Sequence, residues 1–163
     1  MYDACTTFSQ LNIRMHNENG GSKYGFDIVN EKSIQLSGSL EEAIERNQTA
    51  KQRVIGLTIE TRPDLVSHSQ CQRRRRFGIT RIEMGLQSTD DEVLRLNKRG
   101  HTVQQIRDAV HLIRQYGLKI SLHVMPGLYG STREKDIQTF RDLFTDPFLK
   151  PDEVKIYPTS VIP

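Results

Sequence analysis

Four short apolar runs each stop in a block of polar residues: GLTIETRPD at 56–64, RIEMGLQS at 81–88, ISLHVMPGLYGS at 120–131 and VKIYPTS at 154–160. The runs are rich in β-branched residues and predict strands over 54–59, 79–84, 118–124 and 154–157. Helical patterns lie between them. Ser39 with Glu42 three residues on opens one helix in a capping-box pattern, with Leu40, Ala43 and Ile44 on its apolar side. A second follows Pro63-Asp64 and ends in Arg73-Arg74-Arg75-Arg76, cations that suit the end of a helix dipole. A short helix runs over 90–96, and Thr102 with Gln105 opens the clearest one, with Val103, Ile106, Val110 and Ile113 at helical spacing and Gly117 closing it. Ser131 with Glu134 predicts a further cap, with Ile137, Phe140 and Phe144 facing inward and Asp146-Pro147 ending the helix.

The resulting order, β-α-β-α-α-β-α-β, has crossovers long enough for parallel strands and predicts an α/β fold, a βα barrel or an open parallel sheet. Four strands do not close a barrel of this kind, so the pattern reads as part of something larger. Before it, residues 1–15 read as the tail of a helix through Phe8, Leu11, Ile13 and Met15, and residues 16–38 as a polar, Gly-rich loop or disordered insertion. The domain division expected is therefore 1–38 and 39–163.

Composition narrows the class. Hydrophobic residues make up 36% and charged residues 26% of the 163-residue chain, which reads as a soluble globular domain. No apolar stretch approaches the roughly 18–20 residues of a membrane span, so no membrane partner is expected. The first residues lack the basic start and apolar core of a secretory signal. Cys5 and Cys71 are far apart and form no zinc or iron–sulfur motif, so no metal ligands are assigned; two distant cysteines are more often free, buried thiols than a disulfide, which points to a reducing, cytoplasmic setting. Charge is uneven: residues 51–101 hold 11 Lys/Arg against 6 Asp/Glu. That surplus suits a polyanion such as nucleic acid, and equally a solvated Arg-rich helix face.

The polar blocks supply the chemistry, because loops at the carboxyl ends of barrel strands build active sites. Glu60 at a strand end suits the hydroxyls of a ribose; a Glu–Arg surface pair ahead of a Pro-initiated helix explains the same residues. Gln87, just past Gly85, can both donate and accept, or simply form a turn. Arg99 can clamp a carboxylate or phosphate, and His101 precedes a helix start where anions bind; a basic interhelix turn is the plainer reading. His123 alternates with Leu122 and Val124 and points away from their face, as a hydrogen-bonded core histidine also would. Lys155 and Tyr157 alternate with Val154 and Ile156, toward the side of the other polar ends. No Ser-His-Asp arrangement, P-loop or GxGxxG is present, so the residues alone point to the cofactor- and anion-binding half of a βα-barrel enzyme, with its catalytic residues unknown.

Taken together, IETRPD (59–64), TRIEMGLQS (80–88), RGHT (99–102), MPGLYGS (125–131) with EKD (134–136), and KPDEVKIYPTSV (150–161) resemble the tRNA wobble-uridine acetyltransferase family. That family includes the catalytic subunit of Elongator, historically also called a histone acetyltransferase. The resemblance runs over residues 39–163; Tyr129 departs from it, standing where the family often has Pro. It implies a radical S-adenosylmethionine domain on a partial TIM-like (β/α)₆ barrel, here strands three to six, followed by an acetyltransferase domain. The implied reaction uses a [4Fe–4S] cluster to cleave S-adenosylmethionine, and the radical formed acts on acetyl-CoA to modify C5 of the wobble uridine in tRNA.

By the same resemblance Glu60 holds the ribose of S-adenosylmethionine, Gln87 and Arg99 its methionyl part, and His123 and Met125 line the adenosyl pocket. Arg62, His101, Lys155 and Tyr157 take the substrate side. Arg73, Arg74, Arg75 and Arg76 are candidates for tRNA phosphate. Partners implied are tRNA, acetyl-CoA and other Elongator subunits or a second copy. The family's three-cysteine cluster motif and acetyl-CoA loop are not found in the sequence, so this chain alone is expected to be inactive. A related radical enzyme sharing the TRPD and RGH blocks, or a non-catalytic RNA-binding scaffold, are the alternatives.

Overall fold

A computed structural model of the chain describes residues 13–16, 25–28 and 39–160. It divides into two units, residues 1–55 and 56–163. In the first, β1 (Ile13–His16) and β2 (Gly25–Ile28) pair antiparallel, with Ile13 opposite Ile28. This corrects the helix tail and the loop expected at these positions. Ile13 and Met15 are two apart, which is the period of a strand as well as a fragment of a helical pattern. The rest of residues 1–38 lies outside the described residues.

Helix α1 (Leu40–Thr49) follows, with Ser39 and Glu42 forming the expected reciprocal cap at 3.1 and 3.2 Å. Beyond it, the side chain of Asn47 accepts from the Val54 amide at 2.8 Å and donates to the Val54 carbonyl at 3.0 Å. Both backbone groups of Val54 are thereby taken from strand pairing, and the first parallel strand starts later than its β-branched residues predict.

The second unit carries β3 (Thr58–Thr61), a 3₁₀ turn (Pro63–Leu65), α2 (His68–Arg76), β4 (Arg81–Gln87), α3 (Asp91–Leu96), α4 (Val103–Gln115), β5 (Lys119–Val124), α5 (Arg133–Thr145) and β6 (Glu153–Ile156). The strands form one sheet in the order β3-β4-β5-β6, all parallel. The α/β class and the parallel, barrel-like strand order expected from sequence are therefore present. Two details differ. The helix expected directly after Pro63-Asp64 is a single 3₁₀ turn, and α2 starts afresh at its own cap, Ser67. The cap of α5 is Thr132, which accepts from Lys135 N at 3.3 Å, while the Ser131 hydroxyl donates to Asp136 Oδ1 at 2.6 Å.

One face of the sheet holds the core. Ile82, Met84 and Leu86 of β4 and Ile120, Leu122 and Val124 of β5 are 0–1% exposed and meet Ile106, Val110 and Ile113 of α4 and Leu143 of α5. Burying such side chains stabilises by about 1.5–3 kcal/mol each. Of the three α5 residues expected inside, only Phe140 packs on this core, while Ile137 and Phe144, seven apart on one stripe, are exposed. Thr139 and Leu143 take the buried stripe instead.

The other face is polar. Parallel sheets are ordinarily apolar on both sides, yet the alternate positions here are Glu60, Glu83, Ser121, His123 and Lys155. In register, Glu60 pairs with Glu83, Glu83 with Ser121, Gly85 with His123, and His123 with Lys155.

Candidate functional site at the strand ends

The end of β4 is irregular, and the irregularity makes the site. The ladder to β5 slips between Gly85 and Gln87, a bulge of the kind that re-aims a side chain. Gln87 has φ 69°, and Ser88 N donates to Leu86 O at 2.9 Å, closing a tight three-residue turn around it. Positive φ on a long side chain is strained, and strained residues cluster at functional sites. The turn is held from outside: Thr89 N donates to Thr139 Oγ1 at 3.1 Å and Thr89 Oγ1 to Asp142 at 2.6 Å, both on α5. Met125 N donates to Gln87 O at 3.0 Å, tying the start of the next loop to it.

Between α3 and α4 the chain Asn97–Thr102 is bent by Lys98 (φ 51°) and Gly100 (φ 72°). Asn97 Nδ2 donates to the carbonyls of Val93 and Tyr129, and Asp91 Oδ1 accepts from Val103 N at 2.7 Å across the turn. The loop thus delivers Arg99 and His101 onto the end of β4. A Cβ placed on Gly85 would lie 2.5 Å from Gln87 Nε2 and 2.9 Å from Arg99 Nη2, so the bare glycine is what lets both side chains close over the strand end.

Here Glu60, Thr61, Arg62, Pro63, Gly85, Lys98, Arg99 and His101 enclose a pocket of about 230 Å³. Gln87 lies at its edge over Gly85 and is 8% exposed. Gln87 Oε1, Arg99 Nε and both ring nitrogens of His101 are buried with no completed hydrogen bond. Buried polar atoms are nearly always partnered, so Gln87 Oε1 and Arg99 Nε beside one pocket mark it as suited to a polar ligand, while the His101 ring stands close to the backbone of Leu86 and Arg99. Burial foremost, and then the charge of Arg99, push the His101 pKa below the ordinary histidine value, against a weaker opposing pull from the backbone of Leu86 and Arg99 and from Asp64. His101 is therefore neutral at pH 7 and offers one donor and one acceptor. Arg62 pairs with Asp64 at 2.9 Å at the rim.

A second cluster lies beside the pocket on the polar face. Lys155 Nζ is 2.7 Å from both carboxylate oxygens of Glu83, and His123 Nε2 is 3.1 Å from Glu83 Oε2. His123 Nδ1 is 3.7 Å from Glu60 Oε1, and the Tyr157 ring meets the His123 ring edge-on at 5.3 Å. The hydrogen bond from Lys155 foremost holds the Glu83 carboxyl below its usual range, against burial, and the same bond raises the Lys155 pKa. Glu83 is the site residue that sequence reading missed. Its signal was present, since a carboxylate inside a strand otherwise made of core residues needs a buried partner.

The remaining loop is also anchored. Asp136 accepts from Gly127 N at 2.9 Å and from Ser131 Oγ, and Thr159 Oγ1 donates to Pro126 O at 2.9 Å, which explains why the MPGLYGS, EKD and YPT blocks occur together. Of the residues singled out beforehand, Glu60, Arg62, Arg99 and His101 line the pocket with Gln87 beside them. His123, Lys155 and Tyr157 form the neighbouring cluster. Met125 contributes its backbone. In the arginine run, Arg74 turns inward to Thr61 Oγ1 at 3.1 Å, Arg73 stacks on Phe77, and Arg73, Arg75 and Arg76 are exposed. A larger groove of about 580 Å³ between α4 and α5 lies away from all of these, and its Arg107 and Asp146 pair with each other at 2.7 Å.

Residues 26–143 match the Radical SAM superfamily. The chain belongs to this superfamily. It is 46% identical over 142 residues to a tRNA uridine(34) acetyltransferase of Dehalococcoides mccartyi, covering 86% of this chain and 31% of that protein. It is 38% identical to Elongator complex protein 3 of Homo sapiens, covering 80% and 24%. Among solved structures it resembles the archaeal Methanocaldococcus infernus Elp3 with an N-terminal deletion, with TM-score 0.74, 48% identity, and 77% and 30% covered. The chain spans about a quarter to a third of the length of the curated relatives it matches.

Membership of the Radical SAM superfamily implies S-adenosylmethionine and a [4Fe–4S] cluster. The pocket fits the first: Gln87 Oε1 and Arg99 Nε, buried without hydrogen-bond partners, would suit an amino-acid head, and the Glu60 carboxylate would suit a diol. The cluster finds no such fit, since among the described residues no group of three or more His, Cys, Asp or Glu side chains can hold a metal ion, and Cys71 is buried and alone. Among the same residues no helix is long and apolar enough to cross a membrane.

Proposed function

We propose that the pocket at the end of β4 holds S-adenosylmethionine in a cytoplasmic enzyme that modifies C5 of uridine 34 in tRNA, with acetyl-CoA as the second substrate. The observation that carries this reading is the pair of buried atoms without hydrogen-bond partners, Gln87 Oε1 and Arg99 Nε, on side chains closed over the bare Cα of Gly85. The identities to proteins named for uridine(34) acetylation support the substrate, and those to Elongator complex protein 3 support Elongator subunits as partners.

In this role S-adenosylmethionine supplies the radical chemistry when bound, and the chain's residues position it. Glu60 accepts from the ribose hydroxyls. Gln87 Oε1 accepts from the methionyl ammonium while Arg99 donates to its carboxylate. His101, neutral, completes the polar wall, and Arg62 and Lys98 stand at the rim. His123 stands beside Glu60 on the adenosyl side, and Lys155 and Tyr157 form the wall toward the substrate. The exposed Arg73, Arg75 and Arg76 at the end of α2 meet tRNA phosphates.

Isothermal titration of the chain with S-adenosylmethionine tests this reading. Glu60→Ala should cost about 1–3 kcal/mol, roughly 5- to 150-fold in affinity, because the diol loses its acceptor. Equal affinity for both proteins would rule out the ribose role. For the tRNA face, replacing Arg73–Arg76 by Gln should flatten the salt dependence of tRNA binding; an unaltered slope would leave these residues to the helix dipole alone.

A further inference from the structure

We infer that Glu83 is a positioning residue for the pocket: it fixes His123 with its proton on Nε2 and leaves Nδ1 as an acceptor beside Glu60. The inference rests on the reading of Glu60 as the pocket carboxylate. Glu83 receives Lys155 Nζ at 2.7 Å on both oxygens. An ammonium can only donate, so Glu83 meets it as a carboxylate, which can only accept. The same carboxylate stands 3.1 Å from His123 Nε2, and that nitrogen must therefore be the one bearing hydrogen.

The other ring nitrogen is then defined. His123 Nδ1 lies 3.7 Å from Glu60 Oε1, beyond a hydrogen bond. In the neutral ring its lone pair is free, and it stands next to the Glu60 carboxylate as a second acceptor. Two adjacent acceptors match the two hydroxyls of a vicinal diol, each of which donates one hydrogen. Tyr157 holds the ring from its edge at 5.3 Å, and the 6% exposure of His123 leaves little room for it to turn. Neither Glu83 nor His123 is among the residues that enclose the pocket; His123 borders it through Glu60, at 3.7 Å. Glu83 acts through His123, and through Lys155, which it reaches across β5.

Long-range proton–nitrogen correlation spectra of the ¹⁵N-histidine-labelled chain test this, with His123→Asn used for assignment. At a pH where the ring is neutral, wild type should show hydrogen on Nε2, shifted downfield by the carboxylate. Glu83→Gln should keep that hydrogen, since an amide oxygen also accepts, but with a smaller downfield shift. Glu83→Leu should move it toward Nδ1, where Glu60 is the remaining acceptor. Hydrogen on Nδ1 in wild type overturns the inference, as does an Nε2 proton shift identical in wild type and Glu83→Gln, even if the Leu variant fails to fold.

Titration with S-adenosylmethionine is the second readout. Glu83→Gln should bind within about threefold of wild type and Glu83→Leu at least fivefold more weakly; equal affinity in all three removes the positioning role. A wild-type chain that binds no S-adenosylmethionine sinks the proposed function, while the proton assignment still decides the role of Glu83.

Discussion

Lys155 Nζ reaches both carboxylate oxygens of Glu83 at 2.7 Å although β5 lies between their strands. Ser121 makes the crossing possible. It is level with Glu83 on one side and Glu153 on the other, carries a short side chain, and has no exposed surface. A second pair, Arg81 with Glu153, bridges the same two strands. Each inner-face carboxylate of β4 and β6 thereby has a cation, and this face stays polar without leaving a buried charge unpaired.

Acid should expose the pair. The Glu83 carboxyl is held below its ordinary value of 4.5, chiefly by Lys155. A depressed carboxylate contributes stability that is present above the unfolded-state pKa and is lost as pH falls through the folded-state pKa. Urea midpoints measured from pH 7 to 3 should therefore drop more steeply below about pH 4.5 for wild type than for Lys155→Met. Parallel curves would show that the pair adds nothing to stability.

His101 predicts a second, higher window. Its pKa in the fold lies below the ordinary 6.5, so below that pH the unfolded chain takes up a proton that the folded chain resists. Stability should fall as pH drops from 6.5, by at most about 1.4 kcal/mol per pH unit. His101→Gln should remove this slope between pH 6.5 and 5 in the same denaturation series.

Gly85→Ala should separate binding from folding. The new methyl group would meet only the ends of the Gln87 and Arg99 side chains, at 2.5 and 2.9 Å. Those ends can swing aside, so the melting temperature should shift by less than about 4 °C, equivalent to roughly 1 kcal/mol for a chain of this size. Affinity for S-adenosylmethionine should fall at least tenfold, because in the proposed role both displaced groups face the ligand. A variant that binds normally would show that the closure over Gly85 is not used.

Cys71 should be inert in the fold. Burial pushes its thiol pKa up, against a smaller lowering by Arg74, and the side chain has no exposed surface. Thiolate is the reactive form, so peptide mapping after iodoacetamide should find Cys71 unmodified in native buffer and modified in urea. Rapid native alkylation would contradict the packing of α2 on the sheet.

Much of the site was legible beforehand because its residues sit at strand ends, where polar side chains interrupt apolar runs. Glu60, Arg62 and Gln87 stand out this way, Arg99 and His101 stand out as a basic turn between two helices, and the five converge. Strand starts were less legible: Val54 looks like a strand residue until Asn47, seven positions earlier, takes its backbone. The inward face of α5 was misassigned because Ile137 and Phe144 are apolar, whereas burial followed contacts with Leu143 and with the Thr139 hydroxyl. Glu83 was passed over because its partners, His123 and Lys155, are 40 and 72 residues away.

By itself the sequence determined the α/β class, the parallel strand order and the polar blocks, since periodicity and capping are local and each run of residues carries its own signal. Only the tertiary structure decided which blocks share a pocket, that Gly85 must be bare for Gln87 and Arg99 to close over it, and that Glu83 joins His123 to Lys155. Those relationships depend on strand register and on side chains meeting across the sheet, and distances of that kind are set by the packed chain as a whole.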